Sequence, residues 1–226
     1  MTKMMPKTLR TKEEIQGWAE NEAYRHQQEI IRSLMDSLHL PAKEAYMIAT
    51  GTDREGRQWR ETEAWKRLTR AAGTALVIIL KGPNGTGKSS AACRYLANRS
   101  RVIISRNGII EKIDAWDDGI YLRAPDCARI ADLEEDRLEK IWGARTLVID
   151  DLGEEAELGD KAIGRLRAIL TRRDDAITPK TRTVITTNLT REEIASRYGK
   201  RVFDRLRELA VVINVTEIIR IPHQST

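Results

Sequence analysis

An apolar run, Ala75 to Leu80, leads through Lys81 into GPNGTGKS at residues 82–89. That spacing is G-x-x-x-x-G-K-[ST], the phosphate-binding P-loop. It constrains the fold more than any other stretch, because such a loop works only between a buried strand and a helix N-terminus. Gly82, Gly85 and Gly87 let backbone N–H groups curl around an anion. Lys88 is expected to reach the β- and γ-phosphates, and the Ser89 hydroxyl to ligate Mg²⁺. Pro83, Asn84, Thr86 and Ser90 complete the expected nucleotide-binding set. An Ala-rich helix start, Ser90 to Ala97, follows the loop. A chance glycine loop would not come with both flanks. The expected ligand is a nucleoside triphosphate, ATP with Mg²⁺.

With 226 residues, the chain has room for one nucleotide-binding domain and a modest appendage. Its net charge of +5 and pI near 9.3 permit nucleic-acid binding without requiring it. Cys93 and Cys127 lack a metal-ligand spacing and read as reduced thiols, Cys93 on the buried face of the P-loop helix. The charged N-terminus has no apolar signal segment, and no apolar run approaches the ~18 residues of a membrane span. The expectation is a cytoplasmic protein with no membrane partner.

Residues 1–10 read as a basic leader. Thr11-Lys-Glu-Glu14 has capping-box spacing and predicts a long polar helix to about Leu38. Pro41 fits the first turn of a second helix ending near Gly51. Glu61 to Ala72 reads as a third helix, stopped by Gly73. From residue 75 the text alternates strands and helices, which predicts a mainly parallel sheet covered on both faces. The expected strands are 75–81, 119–123, 145–150, 182–187 and 210–215. Arg101–Ser105 and Ile109–Ile113 can pair as an inserted hairpin around Asn107-Gly108. The expected organisation is a helical partner-binding region over 1–73 and an ATPase domain over 74–226.

Thr146-Leu-Val-Ile-Asp-Asp151 is an apolar strand ending in two carboxylates, the Walker B arrangement. Asp150 is expected to hold Mg²⁺, and Asp151 to act as general base or to orient the attacking water. Alone, Asp-Asp at a strand end is weak evidence, because turns favour aspartate. After a P-loop in this order, it is strong. Arg182-Thr-Val-Ile-Thr-Thr-Asn188 places Asn188 where a polar side chain can hold water near a γ-phosphate. Thr190-x-x-Glu193 is itself a capping box. In Gly199-Lys-Arg-Val-Phe-Asp-Arg-Leu-Arg207, Val202, Phe203 and Leu206 can face a core. Arg201 and Arg205 then share another face, as a solvated basic surface or as an arginine finger.

The ordered set GPNGTGKS, TLVIDDLG, TVITTN and YGKRVFDRL resembles the AAA+ ATPases of the DnaC/IstB group. These are bacterial and phage helicase loaders and the ATPase partners of IS21-type transposases. The resemblance covers residues 75 to about 220. It implies an AAA+ P-loop core, a five-stranded, mainly parallel α/β sheet between helices. It implies Lys88 and Ser89 on phosphate and Mg²⁺, Asp150 and Asp151 as Walker B, and Asn188 as sensor 1. Arg205 becomes the arginine finger, Arg201 its alternative, and Arg220 a sensor 2 candidate. With Thr226 as the last residue, no C-terminal helical lid is expected, as is typical of the group. Two departures stand out. Only one expected helix, Ile130 to Trp142, separates the strand at Tyr121 from Walker B, so the usual DNA-touching extra helix is missing or replaced by residues 101–118. The N-terminal region also lacks the cysteines of zinc-bearing loader domains.

These features imply an ATP-dependent replication factor that loads or remodels a replicative helicase, acting as a homo-oligomer with ATP and with single-stranded DNA as a further partner. The alternative is an IstB-like ATPase assisting a transposase. A small-molecule P-loop kinase is disfavoured, because nothing supplies an arginine-rich closing lid or an acceptor site. Intact Asp150 and Asp151 argue against a non-hydrolysing binding module.

Overall fold

The computed structural model describes residues 11–106, 109–116, 118–126, 135–175 and 177–217. Three helices come first: α1 (Lys12–Leu38), α2 (Ala42–Thr50) and α3 (Glu63–Ala71). Pro41 occupies the N-cap of α2 and not its first turn, and Gly51 closes that helix in the left-handed region at φ 78°. Ring closure already fixes a φ of −59° at Pro41, which suits a residue just outside the helix equally well. Thr62 caps α3, its hydroxyl accepting from Trp65 N at 3.1 Å.

The five expected strands form one sheet. They are β1 (Val77–Lys81), β4 (Gly119–Arg123), β5 (Thr146–Leu152), β6 (Arg182–Thr187) and β7 (Ala210–Asn214), in the order β4-β5-β6-β1-β7. All four pairings are parallel. The inserted hairpin is a separate two-stranded sheet, β2 (Arg101–Arg106) with β3 (Ile109–Trp116). Its expected turn residues, Asn107 and Gly108, lie outside the described residues. So does the start of the helix expected from Ile130; the described part is α5 (Glu135–Gly143). Helices α4 (Lys88–Ser100), α6 (Asp160–Asp175), α7 (Arg191–Tyr198) and α8 (Lys200–Leu209) complete the chain.

Successive strand residues point to opposite faces. Ile78, Leu80, Val148 and Val184 therefore pack on the α4 side. Val77, Ile79, Leu147, Ile149 and Ile185 pack on the side of α5 to α8. Val202 is buried there, with Phe203 and Leu206 against it, which is the face of α8 expected from its spacing.

Helices α1–α3 share the α4-side core. Leu34, Leu38, Ala64 and Leu68 are fully buried in one cluster with Ile78, Ala92 and Leu96. The connection between α2 and α3 is pinned to α4 as well. The Arg94 guanidinium lies 3.7 Å from the Trp59 ring centroid, and Trp59 meets Trp65 edge-on at 5.6 Å. Such a cation–π contact adds roughly 0.5–2 kcal/mol to the packing. Leu34→Ala should therefore cost about 2–5 kcal/mol of global stability through lost burial and a cavity. Urea denaturation followed by far-UV circular dichroism checks this. An unmoved main transition would show that α1 folds apart from the sheet.

Candidate functional site

The P-loop runs from the end of β1 to the start of α4. Gly85 and Gly87 adopt φ of 79° and 76°, the left-handed region that costs other residues steric strain. Gly82 serves a different need: a Cβ there would lie 2.0 Å from the Val215 carbonyl oxygen. The chain leaving β7 thus presses on the loop's entrance. Lys88 is buried, 6 % exposed. Its Nζ donates to Gly82 O (2.6 Å), Pro83 O (2.8 Å) and Asn188 Oδ1 (3.0 Å). Burial lowers its pKa, opposed by the charges of Asp151 and Asp150. A buried ammonium at a helix N-terminus, facing two carboxylates, fits a polyphosphate with a divalent cation.

Asp150 is 2 % exposed, and both its oxygens accept hydrogen bonds. Tyr121 OH donates to Oδ2 at 2.6 Å, and Thr186 Oγ1 to Oδ1 at 2.5 Å. Burial, and then the neighbouring Asp150 charge, push the Tyr121 phenol far up, so it stays a donor. The strand does not stop at Asp150 as expected but continues to Leu152. Asp151 interrupts it: its φ is 58°, and the register to β6 shifts between Ile149 and Leu152. Its N–H donates to Thr186 Oγ1 at 2.9 Å in place of a ladder bond. A left-handed non-glycine residue costs of order 1 kcal/mol, least for aspartate and asparagine. The kink turns the Asp151 side chain away from the regular alternation. Burial raises its pKa, helped by Asp150 and Glu154 and opposed by Arg123. A raised carboxylate is a better proton acceptor near neutral pH.

Asn188, at the tip of β6, bridges the site. Besides receiving Lys88, its Nδ2 donates to Asn84 Oδ1 at 2.8 Å. Thr190 forms the expected capping box with Glu193 at the start of α7. Ser90 donates to Glu44 Oε1 of α2 at 3.0 Å, while Ser89 follows Lys88 in the first turn of α4. Lys88, Ser89, Asn188, Asp150 and Asp151 thus converge at the C-terminal ends of β1, β5 and β6. Arg201 and Arg205 do not join them. Both are exposed on α8, on the opposite face of the sheet, and line a shallow groove with Leu170 and Asp175 of α6. Arg220 and Cys127 lie outside the described residues. Cys93 is fully buried, and burial pushes its thiol up, away from reactivity.

Four residues of the site escape sequence reasoning. Tyr121 and Thr186 hold Asp150, Glu44 holds Ser90, and Arg123 lies 3.5 Å from Asp151 and 3.4 Å from Glu154. Glu44 is buried, and burial raises its pKa, so the Ser90 contact is its main compensation. No described helix is long and apolar enough to cross a membrane.

The sequence matches no protein-family model and no curated relative. Solved structures are similar. DnaI aligns at a TM-score of 0.51 and 20 % identity, over 83 % of this chain and 97 % of its own. AMPPCP-bound DnaA from Aquifex aeolicus aligns at 0.48 and 13 %, over 74 % of this chain and 48 % of its own. A DNA replication initiation factor aligns at 0.48 and 15 %, over 74 % and 49 %. At these identities the likeness is one of fold. The chain shares with DnaI its α/β fold, here a five-stranded parallel sheet between helices preceded by a helical N-terminal region.

Proposed function

We propose that this chain is an ATPase of the helicase-loader type, binding and hydrolysing ATP with Mg²⁺ to load or remodel a replicative helicase on DNA. The observation that carries the reading is the convergence of the buried Lys88 ammonium with Asp150, Asp151 and Asn188 at three neighbouring strand ends. ATP supplies the phosphoanhydride whose hydrolysis drives the assembly step. Lys88 neutralises phosphate charge, and the curled loop offers N–H groups to it. Asp150 and Ser89 hold the metal. Asp151 takes the proton of the attacking water, and Asn188 holds that water. Arg205 serves a neighbouring copy, because it stands across the sheet from its own Lys88. The motif order resembling the loader group supports helicase loading, and the DnaI fold agrees with it.

The test compares ATP turnover of the wild type and Asp151→Asn, alone, with single-stranded DNA and with a hexameric replicative helicase. Turnover should rise with helicase and DNA. In Asp151→Asn it should fall roughly 10²- to 10⁴-fold, the usual worth of a general base, with ATP affinity kept. Normal turnover in this variant would remove Asp151 from the mechanism. Stimulation by a transposase and not by a helicase would move the chain to the transposition branch.

A further inference from the structure

We infer that Tyr121 and Thr186 are positioning residues for the bound divalent cation, setting its affinity by locking the Asp150 carboxylate from both sides. This rests on the ATP–Mg²⁺ reading above. The two donors come from the strands that flank β5, Tyr121 from β4 and Thr186 from β6. Registered residues of parallel strands share a face. Val148 is opposite Tyr121 and Ile149 opposite Ile185, so Tyr121, Asp150 and Thr186 all lie on the α4 side.

Each hydroxyl has one proton to give. Thr186 Oγ1 already accepts the Asp151 N–H, so the direction of its own proton, toward Asp150, is set. Asp150 is nearly fully buried, so bulk water does not compete for its oxygens. An ionised carboxylate offers about four lone-pair sites. Two are occupied by these hydroxyls, which fixes the carboxylate plane and leaves two for the cation and its water. Loss of either hydroxyl frees the carboxylate to rotate and leaves it under-satisfied. Thr186 does one thing more: it ties the two Walker carboxylates into a single unit through the kinked Asp151 backbone. Partners of this kind around metal ligands typically account for roughly 10- to 100-fold in metal affinity.

The bland explanation is that both hydroxyls merely satisfy a buried carboxylate and so stabilise the fold. Metal dependence separates the two. A fluorescent ADP analogue is bound to the full chain and titrated with Mg²⁺, for the wild type, Tyr121→Phe, Thr186→Val and Thr186→Ser. Binding in EDTA is measured alongside. The Mg²⁺ midpoint should rise roughly 10- to 100-fold in Tyr121→Phe and Thr186→Val. Metal-free ADP affinity should not change, and Thr186→Ser should restore the wild-type midpoint. Midpoints equal to wild type in both variants would overturn the inference. A parallel loss of metal-free binding would do the same, because it would reveal a purely structural role. If Thr186→Val does not fold, Tyr121→Phe decides alone, since it removes one oxygen and no volume of note. A wild type that binds the analogue with no response to Mg²⁺ would instead overturn the ATP–Mg²⁺ reading itself, before any variant is compared.

Discussion

Lys88→Ala should weaken nucleotide binding severely while leaving the fold intact. The ammonium is the positive charge inside the P-loop, and hydrogen bonds to charged groups contribute about 1.5–3 kcal/mol each. Losing two such contacts to phosphate weakens binding by on the order of 10²-fold or more. Stability responds differently. Burial depresses the Lys88 pKa, so the folded state disfavours its charge. A depressed lysine pKa means the unfolded chain holds its proton more tightly, which destabilises the fold below the unfolded value. Alanine removes that penalty along with three hydrogen bonds to Gly82, Pro83 and Asn188. The two effects oppose one another, and the melting temperature without nucleotide should stay within about 4 °C of wild type. Isothermal titration with ATP and a thermal melt on the same sample check both halves. A variant that binds ATP as the wild type does would detach the P-loop from nucleotide recognition.

Arg205→Ala should leave ATP affinity nearly unchanged and cut hydrolysis by ~10³-fold, the contribution of an arginine finger that meets charge only in the transition state. The structure motivates the in-trans form of this expectation. Arg205 is exposed on α8, and α8 packs on the sheet face opposite α4. Mixing Arg205→Ala with Lys88→Ala protein should recover part of the turnover, because one interface then pairs an intact P-loop with an intact arginine. Mixtures that stay inactive, together with a wild type that remains monomeric in ATP and DNA, would return Arg205 to being a surface charge.

The candidate site was legible in the sequence wherever its residues lie in one contiguous run. Gly82 to Ser89 form one contiguous loop, and Asp150 and Asp151 end one apolar run, so spacing alone predicts their company. Asn188 is legible for the same reason. Tyr121 and Thr186 are not, because their roles depend on which strands flank β5 and in what register. In sequence they are an aromatic and a threonine in β-rich runs, which read as packing. Glu44 was hidden by its type: a glutamate in a helix reads as solvated surface, yet here it is buried against Ser90. The kink at Asp151 was hidden too, since aspartate tolerates a positive φ but does not require one. At Pro41 the miss was a single position, between two places that proline's fixed φ serves equally. The fold class was easier, because five apolar runs separated by helix-length segments leave few parallel arrangements.

The shared core of α1–α3 and α4 bears on how such a chain can be rearranged. A cassette can be exchanged between proteins when its boundary crosses little buried surface. A cut at residue 73 would instead strip Leu34, Leu38 and Leu68 from Ile78 and Leu96, and would part Glu44 from the first turn of α4. Chimeras that graft a foreign N-terminus onto residues 74–226 would inherit an open hydrophobic face where those helices lay. Substitutions are therefore better tolerated on the outer surface of α1, where Tyr24 is exposed, than wholesale replacement of the segment.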